Sequence, residues 1–137
     1  MSYITGSCHC GAIRFDISTD IKTAVNCHCT FCRKLNGSAF SSMVAVPSNF
    51  VRFTCGEDQL NKYVASNDVQ KHFCRSCGSP IFNTNKEFPA FHMFFLGALD
   101  DHLELQPVAN ISCSDKLSWV SSIDSIKSFE GDMDMNA

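Results

Sequence analysis

Ile13, Phe15 and Ile17 alternate with polar residues along the chain, and over residues 69–73 Val69, Lys71 and Phe73 keep the same period of two. Both stretches predict strands with one covered face. The runs over 39–46 and 50–53 are rich in β-branched and aromatic residues and predict further strands. Gly11, Gly37, Pro47, Gly56, Asn67-Asp68, Gly78-Ser79-Pro80, Pro89, Gly97 and Pro107 cut the chain into short elements. Helical periodicity is scarce, with one turn expected over 30–35 before Gly37 ends it. The pattern is that of an all-β (mainly β) fold. It is expected to occupy residues 1–130 as one domain, with 131–137, acidic and without period, as a flexible tail.

Composition narrows the partners. Of the 137 residues 45% are hydrophobic and 18% charged, which is enough apolar material for one core. The net charge is −3, and no basic run exceeds Arg33-Lys34, so a nucleic-acid face is not expected. The first eleven residues are polar and hold two cysteines, unlike a secretory signal, which makes a cytosolic (cytoplasmic) location the expectation. The most apolar stretch, 88–99, is broken by Pro89, His92 and Gly97 and is too short to span a membrane. In a reducing compartment, nine cysteines read as metal ligands or reactive thiols, and their odd number fits a disulfide framework poorly.

Seven of the nine fall in three clusters: Cys8-His9-Cys10-Gly11, Cys27-His28-Cys29-Thr30-Phe31-Cys32 and Cys74-Arg75-Ser76-Cys77-Gly78. Structural zinc takes four ligands tetrahedrally, usually as two short pairs brought together by the fold. Cys74 and Cys77 form one such pair, and Cys8 with Cys10, also followed by glycine, supplies the other. Cys27, Cys29 and Cys32 put three thiolates in six residues and leave a tetrahedral ion one ligand short, the pattern of an open site. A fourth ligand can also come from Cys55, Cys113, His28, His72, His92 or His102, which would close it. His9 and His28 lie between ligands and are expected to point away from the metal, as outer-sphere or surface groups. Cys55 and Cys113 are expected as small buried hydrophobes, and the 12 phenylalanines as an aromatic core or a pocket, with core the first expectation.

An ion carrying three thiolates is a weak Lewis acid and a poor activator of water, but it accepts another thiol and deprotonates it. A small cytosolic thiol, glutathione above all, is the substrate class this chemistry fits, with an aldehyde as electrophile. Arg33, Lys34, Lys71, Arg75 and Lys116 are candidates to hold its carboxylates. The chain has no G-x-S-x-G elbow, phosphate loop, H-E-x-x-H or dinucleotide fingerprint.

Across 6–15, 26–40 and 73–82 the sequence resembles the family of glutathione-dependent formaldehyde-activating enzymes, which includes centromere protein V. The resemblance implies a β-tent of small curled antiparallel sheets, similar to the Rab guanine-nucleotide release protein fold and stabilised by zinc. It implies two zinc ions, a structural one on Cys8, Cys10, Cys74 and Cys77 and a catalytic one on Cys27, Cys29 and Cys32. The implied activity is carbon–sulfur lyase chemistry, the reversible joining of formaldehyde and glutathione into S-hydroxymethylglutathione. Where the family often has a histidine before the late tryptophan, this chain has Asn110 ahead of Trp119. The alternative expectation is a zinc-stabilised interaction module without catalysis.

Overall fold

The alternation over 13–17 acts as its period requires. In the computed structural model, which describes residues 4–21, 23–66, 68–101 and 105–135, Ile13, Phe15 and Ile17 are buried and Arg14 is exposed. Strand β2 (Arg14–Ile17) lies antiparallel between β1 (Ile4–Ser7) and β5 (Val51–Cys55) in a three-stranded sheet. The remaining strands are β3 (Ala24–Cys27), β4 (Ser41–Pro47), β6 (Leu60–Val64), β7 (Val69–Cys74), β8 (Pro80–Asn85), β9 (Phe91–Phe95) and β10 (Ala109–Ile111). They form a seven-stranded sheet in the order β10-β3-β4-β9-β8-β7-β6. The pairs are antiparallel except β10 on β3, which is parallel. The fold is therefore mostly β, as the pattern predicts.

Because side chains alternate across a pleated sheet, the large sheet has two distinct faces. On one, Val44, Val46, Phe82 and Phe94 pack against Ile13, Phe15 and Ile17 of the smaller sheet's edge of the core. Phe15 sits 4.7 Å from Phe94 and 5.9 Å from Phe53, centroid to centroid, so the phenylalanines join the two sheets. On the other face, Met43, Met93 and Phe95 meet Cys27, Cys32 and Phe31. The second group belongs to helix α1 (Thr30–Asn36) and the strand before it, so the helix covers this face. It runs one residue past the expected 30–35 and stops at Gly37, whose N–H caps the Arg33 carbonyl.

This two-faced arrangement settles where several candidates go. His72 and His92 sandwich Phe82 at 4.3 and 4.4 Å, on the core side of the large sheet. Burial among aromatics holds both imidazoles neutral, His72 down to about 4. The pleat points them away from the helix face, so neither joins the three-cysteine cluster. Three expectations need correction: Cys55 and Cys113 are exposed, not buried, and Phe88, Phe91 and Phe129 are exposed rather than in the core. Cys55 ends an edge strand and Cys113 begins a short 3-10 turn, positions that neither sheet covers. His102 lies outside the described residues. Residues 131–135 are exposed and form neither helix nor strand.

Candidate metal centres

The Cys8–Cys10 and Cys74–Cys77 pairs sit in the turns of two hairpins, β1–β2 and β7–β8, which belong to different sheets. The two turns are built alike. Cys8 N–H donates to the Ile13 carbonyl at 3.1 Å and Cys74 N–H to the Ser79 carbonyl at 3.0 Å. Gly11 and Gly78 then follow the second cysteine of each pair at φ 80° and 78°, a conformation that disfavours any side chain. The turns face each other, and all four Sγ atoms lie within 4.8 Å of one another. Cys8 Sγ is 3.6 Å from Cys10 Sγ, which is 3.8 Å from Cys74 Sγ. Four sulfurs at a Zn–S distance of about 2.3 Å in a tetrahedron stand about 3.8 Å apart, so the donor set fits zinc.

Hydrogen bonds to sulfur support the same fit. The Ile13 N–H donates to Cys8 Sγ at 3.3 Å. Bonds from the Ser79 hydroxyl and N–H bring the Cys77 thiol down to about 5. Ser79 also accepts from the His9 N–H at 3.0 Å, tying one turn to the other. His9 itself is exposed and contributes no ligand.

The second cluster is local. Cys27 ends β3, Cys29 is the N-cap of α1, and Cys32 lies in its first turn. Their three Sγ atoms also lie within 4.8 Å of one another, with Cys27 and Cys29 sulfurs 3.3 Å apart. No fourth Cys, His, Asp or Glu joins them among the described residues. Cys29 Sγ accepts from the Cys32 N–H at 3.2 Å. Burial pushes the Cys29 thiol up, but that N–H and the neighbouring thiols outweigh it and bring the group below the ordinary range. Cys32 goes the other way, raised by burial and then by the Cys29 and Cys27 thiols. Sulfurs crowded this closely resist ionising together, and a cation among them removes the conflict, so this donor set also fits a metal ion.

Two cavities open beside the helix that carries Cys29 and Cys32. The larger, about 740 Å³, lies between Thr30, Phe31, Lys34 and Leu35 of the helix and Tyr63, Lys71 and Phe73 of the β6–β7 hairpin. Lys71 Nζ donates to the Leu35 carbonyl at 2.8 Å, and burial lowers its pKa. The smaller, about 200 Å³, is walled by Phe31 and Cys32 of the helix and by Met43, Asn83, Phe91 and Met93 of the sheet. Of the basic candidates, Lys34 and Lys71 line a cavity, whereas Arg33 turns to Thr30 Oγ1 and Arg75 to the Asp58 carbonyl. Lys116 lines neither of these two cavities.

A sequence profile of the family described as glutathione-dependent formaldehyde-activating enzyme matches residues 3–115. The chain belongs to this family. A relative from Halomonas elongata is 27% identical over 124 residues, covering 85% of this chain and 79% of that protein. One from Penicillium rubens is 29% identical over 115 residues, covering 82% of this chain and 53% of that protein, so the chain spans about half the fungal relative's length. Both carry the name glutathione-dependent formaldehyde-activating enzyme provisionally. A crystal structure of a Rhodobacter sphaeroides protein superposes with a TM-score of 0.63 at 22% identity, covering 77% of this chain and 98% of the other, which shows a shared fold.

Asn110 has its partners inside the protein. Its Oδ1 accepts from Asn26 Nδ2 at 3.2 Å and from His28 Nε2 at 3.0 Å. His28 is 1% exposed, so it is not a surface group. Its N–H donates to the Ile111 carbonyl at 3.0 Å, so β10 straps the loop between Cys27 and Cys29. Sequence reasoning passed over this strap, because the partners are 82 residues apart. It also passed over Asn83, whose only signal is an amide following Ile81 and Phe82 in a strand.

Proposed function

We propose that this chain is a zinc-dependent carbon–sulfur lyase that joins the thiol of glutathione reversibly to formaldehyde or another small electrophile. The observation that carries this reading is the three-sulfur cluster of Cys27, Cys29 and Cys32, without a fourth ligand among the described residues and flanked by two cavities. Cys8, Cys10, Cys74 and Cys77 are read as the structural zinc site. When bound to the three-sulfur cluster, zinc has one position left for an added ligand and deprotonates a thiol that takes it.

The protein's own groups supply the rest. Lys34 and Lys71 offer two cations for the two carboxylates of glutathione in the larger cavity. Lys71 is held by the Leu35 carbonyl, so little side-chain entropy remains to be lost when a carboxylate binds. The chemical change is an addition: sulfur bonds to the carbonyl carbon, the C=O π pair moves to oxygen, and the thiol's proton ends on that oxygen through solvent. Nothing is oxidised or reduced. Family membership and the names of the relatives support glutathione and formaldehyde as the reactants.

The test is elemental analysis of zinc per chain before and after dialysis against a mild chelator, and again with glutathione present. Alongside it, S-hydroxymethylglutathione formation is followed by NMR against the uncatalysed rate. The expected result is two zincs, one labile and sensitive to glutathione, with accelerated adduct formation. One tightly held zinc, or two that neither reagent disturbs, with no acceleration, overturns the reading in favour of a zinc-stabilised interaction module.

A further inference from the structure

The smaller cavity beside Cys32 is far larger than formaldehyde needs. A water molecule takes roughly 30 Å³ of liquid, and formaldehyde adds one heavy atom to that size, whereas the cavity measures about 200 Å³. Its walls are apolar: Phe31, Met43, Val69, Phe91 and Met93 supply most of them. Phe31 comes from the helix, and the pleat brings the strand residues Met43, Val69, Phe91 and Met93 to the face that the helix covers, with Asn83 opposite Met93 in the β8–β9 pairing. A one-carbon electrophile leaves most of such a space without contacts, which forfeits dispersion and hydrophobic gain.

Two asparagines interrupt this wall, and Asn85 Oδ1 already accepts from the Glu87 N–H at 2.9 Å. Asn83 is 6% exposed, and its buried Oδ1 has no hydrogen-bond partner. A buried amide oxygen left unpaired is costly and rare in folded proteins, and a ligand hydroxyl would satisfy it. An aldehyde oxygen, which only accepts, cannot donate to it. The hydroxyl of the addition product can.

Resting on the thiol-addition reading above, we infer that this cavity is the electrophile subsite. It takes aldehydes bearing an apolar substituent of medium-chain or aromatic size in preference to formaldehyde. The substituent fills the space between Phe31, Val69 and Met93. Asn83 Oδ1 accepts the hydrogen bond of the hemithioacetal hydroxyl formed when sulfur adds to the carbonyl carbon and the carbonyl oxygen gains the proton. In the lyase direction the same bond orients the hydroxyl that must lose its proton as carbon and sulfur part. Asn83 therefore touches the reacting oxygen and sets which face of the carbonyl is presented.

The experiment compares hexanal with formaldehyde, using the zinc-loaded full chain and glutathione, each as acceleration over its own uncatalysed addition. At about fourfold per buried methylene, hexanal should show at least roughly 100-fold greater acceleration in kcat/KM. Calorimetry with the inert thioethers S-hexylglutathione and S-methylglutathione provides a readout without turnover, and the hexyl compound should bind at least about tenfold tighter. Val69→Phe, at a half-buried position, should lower the hexanal-to-formaldehyde ratio by about tenfold or more. Asn83→Leu, similar in size, should lower kcat by roughly tenfold while leaving the KM for glutathione in place; if it does not fold, the Val69 ratio and the thioether pair decide. Equal acceleration of both aldehydes, equal thioether affinities and an unmoved Val69→Phe ratio overturn this inference while thiol addition stands. Acceleration of neither aldehyde, with no glutathione binding, overturns it together with the reading on which it rests.

Discussion

The two cysteine clusters use the same donor atom and differ in what they span. The four-cysteine cluster draws on two hairpins of separate sheets, with Cys10 and Cys74 64 residues apart. The three-cysteine cluster sits within one strand-to-helix connection. A metal holding the first closes a long loop and joins two sheets, so its binding free energy is folding free energy. A metal in the second rigidifies six residues whose strand is already held by β4 and β10. On the proposed reading, ligand span rather than ligand type separates a site that maintains the fold from one that can exchange ligands.

That comparison can be broken most decisively at Cys74. Cys74→Ser should cost at least about 3 kcal/mol, a fall of roughly 12 °C in Tm by calorimetry, with loss of one zinc. Cys29→Ser should also lose one zinc, yet shift Tm by no more than about 4 °C while lowering adduct formation at least roughly 100-fold. Equal losses of Tm in the two variants would sink the division of roles.

Two further changes sharpen the picture around the local cluster. Lys71→Met removes a cation from the larger cavity and should raise the KM for glutathione by about tenfold or more with kcat little changed. Asn110→Ala leaves the His28 Nε2–H buried without an acceptor and should cost about 1–3 kcal/mol in denaturant unfolding. If that variant loses nothing, the Asn110 side chain does not help β10 hold the loop.

The smallest effect concerns the core face rather than either cluster. Burial lowers the His92 pKa below 6.5, so the unfolded chain binds more protons than the folded one as pH falls. The contribution is complete above the unfolded value of about 6.5 and is lost as pH drops toward the folded pKa. His72, across Phe82, has the same sign. The Tm of His92→Phe, measured across that window, should decline less steeply than that of the parent; parallel curves would rule His92 out as the cause.

Much of this arrangement was legible in the chain itself. The period-two alternation of Ile13, Phe15 and Ile17 and of Val69 to Phe73 marked strands because the pleat repeats every two residues. The cysteine spacings, with Gly11 and Gly78 behind two of the pairs, marked tight turns carrying thiols, since local backbone geometry dictates both. Cys55 and Cys113 went astray because burial of a lone cysteine depends on what covers it, and edge positions are covered by nothing.

What tertiary structure alone decided is contact between distant segments. Which face His92 and Asn83 occupy follows from strand order and register, and no residue near them in sequence records it. The strap of Asn110 on His28 likewise joins residues 82 apart, and both cavities exist only because a short helix lies across a sheet. Sequence spacing determined which sulfurs could share an ion, because neighbouring residues are bound to stay close. It could not determine what surrounds that ion, because the surroundings arrive from parts of the chain whose proximity is created by folding.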